Sequence, residues 1–377
     1  MKIESIEAVH VRIPLDQPYE FARGTMTSFD NVVVRMETDE GIVGYGESAP
    51  LFRSPTGDAS AVAELIRGPV AQRLLGEDPF DVEALVARAL EAAGGNVDGV
   101  AGIDVALWDI MGKYLGQPIY RLLGGLCQDP IPVDYTISAV EPAEMAQVAV
   151  KVHKQGFQGV VVKVTGESVE KGIERVRQVR SALPNHCTVR ADCNGGFAQD
   201  DALEFLKGIA DLDIEFVEQP VPAKDFDGLK RCRQIGIPIS VDESLITLRD
   251  ALTLVSEKAC DILNIKVPRV GGFLLAKRMA AIADAADLAV VVGGRTAFEI
   301  SRAASRHFAA STCGTRGRKH EGPGPASQAL SDDVVTRRTT REETGKAGGH
   351  VRVERGPGLG IKVLWDKVRR YAVDLPS

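Results

Sequence analysis

Five short apolar runs between Val160 and Lys266 each end in a residue that can bind a metal ion or move a proton. These terminal residues, separated by 29, 26, 24 and 24 positions, are Lys163, Asp192, Glu218, Asp242 and Lys266. Each gap is long enough for one strand and one crossover helix, so the pattern predicts parallel strands joined by helices. We therefore expect three acids and two lysines to meet at one edge of a parallel sheet.

The strand–helix alternation begins near Ile131 and continues beyond these five runs. A first strand is predicted at 133–138, a seventh at 288–294, and a weak eighth near 318–321. Buried strands repeated this regularly indicate an α/β fold, a (β/α)8 barrel of the TIM type, whose active site lies at the C-terminal ends of the strands. We assign residues 131–325 to this barrel.

Residues 1–130 have a different pattern, which predicts a separate α+β domain. A strand is expected at 1–14, a loop at 20–26, and two strands within 31–48 joined by a turn at 39–41. Helices are expected near 59–75, 81–93 and 99–116. The C-terminal segment, 326–377, begins with a polar and charged stretch that is expected to lie on the surface. It then recovers strand character and is expected to pack beside the first domain.

Composition excludes several classes of function. The formal net charge of −7 offers no basic patch for nucleic acid, and no apolar run is long enough to span a bilayer. The N-terminus lacks the apolar core of a signal peptide. Six scattered cysteines contain no C-x-x-C pair, which favours reduced thiols over a zinc site or disulfides. We therefore expect a cytoplasmic protein.

The predicted cluster of acids indicates a site for a divalent cation. Three carboxylates in one partly buried site repel one another unless a cation is present, and oxygen ligands suit Mg²⁺, with Mn²⁺ as a substitute. A substrate carboxylate bound there could lose its α-proton, because the metal would stabilise the resulting enediolate. A lysine whose pKa falls toward ~7–8 through burial beside the cation could act as the base.

Simpler explanations exist for each of these residues taken singly. A strand-end Asp or Glu is most often the N-cap of the next helix, and a lone lysine is usually a solvated charge. Five such residues on successive strands are harder to explain in that way. Asp242 and Glu243 compete to be the third ligand; their side chains point to opposite sides, and we prefer Asp242.

Several segments, taken together, resemble the enolase superfamily, most closely its muconate lactonizing enzyme subgroup. They are VEQP, VDES, DILNIKVPRVGG, ALWDIMGKYLGQPIYRLLGG and GPGLG, in order along almost the whole chain. The resemblance implies a modified barrel under a capping domain formed by the N-terminal region and the C-terminal tail. It also implies Mg²⁺ on Asp192, Glu218 and Asp242, with Lys163 and Lys266 as the acid/base pair. Supporting groups around that site would be Asn194, Glu243 and Asn264, and a family-like glutamate would be Glu321.

The chain departs from the subgroup's pattern at three places. Val161 replaces the first lysine of the usual Lys-x-Lys, which removes a cation beside Lys163. Strand eight carries Glu321-Gly322-Pro323 with no Asp-x-Asp, which argues against relatives that grip a dipeptide amino group. No histidine ends strand six or seven, which argues against a Lys/His pair.

Three arginines are candidates for binding an anionic part of the substrate. Arg23 and Arg53 lie in predicted loops of the first domain and could bind a distal carboxylate, although an arginine at such a position is more often a solvated charge. Arg295 follows strand seven and has a surface ion pair as its alternative role.

The sequence predicts a Mg²⁺-dependent enzyme that removes or returns a proton α to a carboxylate, with an isomerase as the preferred class. A muconate-type cycloisomerase and a racemase or epimerase of an amino-acid derivative are both open. The alternatives are a dehydratase of a hydroxy acid or hydroxyproline-like substrate, and a non-catalytic carboxylate-binding paralogue. The expected partners are a small-molecule carboxylate and further copies of the same chain.

Overall fold

The computed structural model describes two sheets and the helices that surround them. The residues that it describes are 1–21, 24–50, 57–315, 319–322, 329–336 and 348–373. The smaller sheet has three antiparallel strands, and the larger sheet is built on eight parallel strands. The architecture is α/β, a TIM-type barrel with an α+β capping domain, as the sequence predicts.

The small sheet is formed by β1 (Ile3–Phe21), β2 (Gly24–Thr38) and β3 (Val43–Ser48), in that order. The predicted end of the first strand near residue 14 and the loop at 20–26 are wrong, because β1 continues to Phe21. A register shift between Pro14 and Tyr19 lets the strand continue past prolines that cannot donate to a ladder. Tyr19 then pairs with Met26.

Six short helical elements follow the small sheet. They are α1 (Ala59–Leu65), a π-helical turn (Ile66–Val70), α2 (Ala71–Leu74), α3 (Val82–Ala92), α4 (Asp98–Tyr114) and α5 (Ile119–Leu122). The single helix predicted at 59–75 is broken because Pro69 lacks an N–H and Gly68 has non-helical angles. Helix α4 lies directly against β3: a Cβ on Gly46 would come within 1.9 Å of the Gly102 carbonyl oxygen.

Eight parallel strands form the barrel wall. In chain order they are β4 (Ile131–Ile137), β5 (Gly159–Lys163), β6 (Thr188–Asp192), β7 (Phe216–Glu218), β8 (Ile239–Val241), β9 (Ile262–Ile265), β10 (Ala289–Val292) and β11 (His320–Glu321). Each of β4 to β9 pairs with the next strand in the chain, and β11 pairs with β4. The Val292 N–H donates to His320 Nδ1 at 2.9 Å, which joins β10 to β11. The predicted strands are confirmed.

Helices connect successive barrel strands and cover the outside of the barrel. They are α6 (Pro142–Lys154), α7 (Val169–Ala182), α8 (Gln199–Ile209), α9 (Phe226–Arg233), α10 (Leu248–Ser256), α11 (Phe273–Ala285) and α12 (Glu299–Ala310). Ser168 and Thr247 cap α7 and α10 by accepting from N–H groups of the first turn. Among the described residues, no helix combines the length and apolarity that crossing a membrane requires.

The C-terminal segment packs along both parts of the molecule. Strand β12 (His350–Val351) pairs antiparallel with β4, and helix α13 (Trp365–Arg370) follows. The Arg12 N–H donates to the Tyr371 carbonyl oxygen at 2.9 Å, so the tail also contacts β1. The strand character predicted for this tail is limited to β12 and a few isolated bridges.

The expectation that all six thiols are reduced is wrong for one pair. Cys127 and Cys313 form a disulfide with their Cα atoms 5.3 Å apart. The bond joins the segment before β4 to the segment between α12 and β11, which are 186 residues apart in sequence. The four free cysteines, all buried, are Cys187, Cys193, Cys232 and Cys260.

Candidate active site

The C-terminal ends of β5 to β9 carry the five residues from which the fold was predicted. The parallel register places Lys163 opposite Asp192, and Asp192 opposite Glu218. Asp242 follows β8 and Lys266 follows β9. The three acids are almost completely buried, with 2–3% of their surface exposed. The predicted arc of three acids between two lysines is therefore present in the fold.

Lys163 is bound to the first acid of the arc. Its ammonium donates to Asp192 Oδ2, and at 3.2 Å to Asn194 Oδ1. Burial on its own would lower the pKa of Lys163, but the neighbouring carboxylates, Asp192 foremost, raise that pKa above its ordinary value. With only the protein's own groups present, Lys163 is held in its charged form.

Two cations bind the last acid of the arc. Lys266 Nζ donates to Asp242 Oδ2 at 3.0 Å, and Arg269 Nη1 donates to Asp242 Oδ1 at 2.6 Å. Burial favours the protonated acid, but the charges of Arg269 and then Lys266 lower the pKa of Asp242 below its usual range. Asp242 is thus an ionised carboxylate inside the protein.

Asn194 and Glu243 link the two ends of the arc. The Asn194 amide Nδ2 lies 3.2 Å from Asp192 Oδ2 and 3.3 Å from Glu243 Oε1. Burial, followed by the negative charges of Asp242 and Asp192, raises the pKa of Glu243 to about 7. Its buried Oε2 has no hydrogen-bond partner among the described residues. Asn264, the third expected supporting residue, donates to Glu218 Oε1 at 3.1 Å.

This donor set fits a hard divalent cation. It offers oxygen atoms only, from three buried acids, with the unpartnered Glu243 Oε2 beside them. The oxygens of the three acids do not all lie within 4.8 Å of one another, so the fit rests on the chemistry of the donors. Asp192, Glu218 and Asp242 are the residues that would hold Mg²⁺. Lys163 is the ion-pair partner of the Asp192 carboxylate, and Lys266 and Arg269 are the partners of the Asp242 carboxylate.

The structure describes only some of the residues predicted to bind substrate. Arg295 Nη1 lies 2.9 Å from Asp98 Oδ1 of α4, in a pair whose side chains are almost fully buried. Arg295 therefore forms an ion pair, as the alternative expected, but the pair is buried between the barrel and the capping domain and does not lie on the surface. Glu321 lies in β11, but its side chain is not described. Arg23 and Arg53 lie outside the described residues.

Two residues around the site, Arg269 and Gln219, were not predicted from the sequence, and the fold adds detail to a third, Val161. Arg269 binds Asp242, and the fully buried Gln219 organises the backbone beside it. In the sequence, Arg269 and Gln219 are marked only by lying in the family-like segments KVPRVGG and VEQP. Val161 is 5% exposed and lies two residues before Lys163, so it presents an apolar face to the same side of β5.

Comparison with known proteins extends over nearly the whole chain. The domain described as Mandelate racemase / muconate lactonizing enzyme, N-terminal domain, matches residues 3–124, and Enolase C-terminal domain-like matches residues 144–367. The N-succinyl-L-Arg/Lys racemase of Bacillus cereus is 29% identical over 378 residues, covering 99% of this chain and 98% of the relative. Its crystal structure superposes with a TM-score of 0.90 at 28% identity, with the same coverage of both chains.

Two further relatives show the range of chemistry in the same fold. The crystal structure of a dipeptide epimerase from Cytophaga hutchinsonii, complexed with Mg and the dipeptide D-Ala-L-Val, has a TM-score of 0.89 at 28% identity. It covers 98% of each chain. The chloromuconate cycloisomerase of Delftia acidovorans is 29% identical, covering 98% of this chain and 99% of that enzyme. The chain is therefore an enzyme of the isomerase type, and it belongs to the mandelate racemase/muconate lactonizing enzyme family of the enolase superfamily.

Proposed function

We propose that this protein is a Mg²⁺-dependent racemase or epimerase that inverts the α-carbon of an amino-acid derivative. The observation that carries the proposal is the position of the two lysines. Lys163 ends β5 and Lys266 follows β9, so they enter the acidic arc from opposite ends, and each contacts a different acid. Inversion at carbon requires two proton-transfer groups on opposite faces of the substrate, and two lysines at opposite ends of the arc support this mechanism.

Mg²⁺ held by Asp192, Glu218 and Asp242 would supply positive charge to offset the negative charge that develops on the substrate carboxylate. The protein's own residues then have separate tasks. One lysine, in its neutral form, takes the α-proton, and the other, as an ammonium, delivers a proton to the opposite face. The roles exchange for the other enantiomer. Burial of the acids and of Lys266 keeps bulk water away from the proton-transfer step.

The proposed substrate is an N-acylated amino acid. The Bacillus cereus relative carries that substrate class in its name and matches this chain over nearly its full length. The strand-eight segment reads Glu321-Gly322-Pro323 without an Asp-x-Asp, which speaks against a dipeptide with a free amino group. The buried apolar Val161 leaves one cationic neighbour fewer beside Lys163 than the subgroup's usual Lys-x-Lys.

The test is proton exchange in D₂O with Mg²⁺, monitored by NMR on both enantiomers of N-acyl amino acids, dipeptides and hydroxyprolines, and on muconate. We expect racemisation with deuterium uptake for the N-acyl class. Lys163→Ala and Lys266→Ala should each reduce racemisation by ~10²–10⁴-fold, and each should retain exchange with one enantiomer only. Lys207→Ala, at an exposed position of α8, is the matched control.

Three results would count against the proposal. Turnover of muconate alone would assign the site to cycloisomerisation, and loss of water from a hydroxyproline would assign it to dehydration. Wild-type racemisation by Lys266→Ala would remove the two-base mechanism. Chelation by EDTA should abolish turnover, and added Mg²⁺ should restore it.

A further inference from the structure

A second group of potential metal ligands lies away from the acidic arc. Among the described residues, His153, His186 and Cys187 form the only group of three histidine, cysteine or acidic side chains whose candidate ligand atoms lie within 4.8 Å of one another. His153 lies in the last turn of α6, and Cys187 directly precedes β6. Asp192 ends the same strand, so the two sites are about 16 Å apart along β6.

The spacing of these atoms suits a tetrahedral ion. Cys187 Sγ lies 3.4 Å from His153 Nδ1. Sulfur and nitrogen ligands on one tetrahedral Zn²⁺ are about 3.6 Å apart, given the usual bond lengths of about 2.3 and 2.0 Å. The His153 and His186 rings are 6.0 Å apart between centroids and tilted by 59°, so both can turn a nitrogen toward the same point.

The backbone around Cys187 is held in place by several hydrogen bonds. Arg180 donates to the carbonyl oxygens of Cys187 and Pro184 at 2.6 Å each, and the Cys187 N–H donates to the Pro184 oxygen at 3.0 Å. His153 Nδ1 also lies 3.2 Å from the Phe157 carbonyl oxygen. Coordination through Nδ1 would replace that hydrogen bond, whereas coordination through Nε2 would use it to orient the ring.

We propose that His153, His186 and Cys187 form a second metal site, which binds Zn²⁺ and clamps the end of α6 to the start of β6. One thiolate and two imidazoles are the ligands that Zn²⁺ prefers, and they differ from the oxygen ligands of the acidic arc. His186 is exposed while Cys187 is buried, so the ion would enter from the surface and keep a water molecule as its fourth ligand. The site lies at the end of the barrel opposite the acids, so the ion would take no direct part in their chemistry.

The test uses Co²⁺ as a spectroscopic probe of the full-length protein in the presence of excess Mg²⁺, which occupies oxygen-rich sites. Co²⁺ on a thiolate has a charge-transfer absorption that Co²⁺ on oxygen ligands lacks. We expect one equivalent of Co²⁺ with this absorption, displaced by Zn²⁺, and a melting temperature that Zn²⁺ raises at constant Mg²⁺.

Variants identify the ligands. Cys187→Ser should abolish the charge-transfer band, and His186→Ala should weaken Co²⁺ binding at least ~10-fold. Cys260→Ser is the matched control, because Cys260 is likewise buried and just precedes a barrel strand, and it should behave as wild type. His186 is exposed, so His186→Ala tests the site even if Cys187→Ser does not fold. Absence of the band, or Co²⁺ affinity unchanged in His186→Ala, would overturn the proposal.

Discussion

The side chain of Gln219 organises the turn that carries Asp242. Its Oε1 accepts from the N–H groups of Asp242 and Ser244 at 3.1 Å each, and its Nε2 donates to Val221 O and Ser244 Oγ. Gln219 itself has φ of 41°, a left-handed conformation that is uncommon outside glycine. Three of these four hydrogen bonds connect the end of β7 to the segment after β8, and the fourth holds the chain just after Gln219.

Gln219→Ala should destabilise the protein and loosen the acidic arc. It leaves two buried N–H groups without their acceptor, each at a cost of ~1–3 kcal/mol, so we expect the free energy of unfolding to fall by ~2–6 kcal/mol. Urea denaturation measures this loss, and Mg²⁺ titration should show weaker binding. Gln178→Ala, which removes one bond to Glu174 on α7, is the control and should change stability by less than ~0.5 kcal/mol. Equal effects from the two variants would contradict the role given to Gln219.

At this scale, the sequence predicts which residue types end the strands but not what their neighbours contact. Lys163, Asp192 and Glu218 could be placed because strand period and spacing put them at one edge. Gln219 and Arg269 could not, because their contacts depend on how the chain turns after β7 and β9. Those turns have no periodic signal in the sequence.

At the scale of elements, buried acids of the capping domain bind the N-termini of two barrel helices. Glu47, in β3, accepts from the N–H groups of Phe298 and Ser301 at 2.8 and 2.9 Å, at the start of α12. Asp104, in α4, accepts from the N–H groups of Phe273 and Leu274, at the start of α11. The first N–H groups of a helix lack partners within the helix, so these acids satisfy them and join the two domains.

These acids should make stability depend on pH. Burial, the largest influence, raises the pKa of Glu47 to about 8 and that of Asp104 to about 7. A raised folded-state pKa means that the unfolded chain releases the proton first, so stability is lost as pH rises toward the folded-state value. Burial lowers the pKa of His307 to about 4 and that of His320 to about 3. These histidines make stability rise with pH, but only below about pH 6.5, the pKa of a histidine in the unfolded chain.

We therefore predict that the free energy of unfolding falls as pH rises from 6.5 to 8, because Glu47 ionises more readily in the unfolded chain. Its contribution to this slope is up to about 1.4 kcal/mol per pH unit. Glu47→Gln should reduce the slope over this window, because glutamine cannot ionise. Urea denaturation at several pH values provides the measurement. Glu64→Gln, at an exposed position of α1, is the control and should keep the wild-type slope. A slope in Glu47→Gln equal to that of the wild type would count against the prediction.

The elements themselves could be predicted where apolar periodicity was strong. The barrel strands and the helices between them lie close to their expected positions. The extension of β1 to Phe21, the break at Gly68-Pro69 and the mostly irregular tail depend on a register shift, a proline and tertiary contacts. Propensity alone assigns a strand or a helix to such segments, and tertiary context overrides it.

At the scale of the whole molecule, the barrel is held together by contacts between distant parts of the chain. The repeated strand-plus-helix spacing predicts the barrel, because each strand must pair with the next. It contains no information about the Cys127–Cys313 bond, whose partners lie 186 residues apart and belong to no cysteine motif. Cys127 precedes the first barrel strand and Cys313 precedes the last, so the bond joins the two ends of the barrel domain.

Reduction of this disulfide should destabilise the molecule as a whole. Closing so long a loop removes conformational entropy from the unfolded chain, and native disulfides typically contribute about 2–4 kcal/mol. Both cysteines are exposed, so dithiothreitol should reach them and lower the free energy of unfolding by that amount in urea denaturation. The double variant Cys127→Ser/Cys313→Ser should match the reduced wild type and show no further response to dithiothreitol. Cys232→Ser, which removes a buried free thiol, should retain the response. If the wild type and the double variant unfold at the same urea concentration without reductant, the bond does not stabilise the fold.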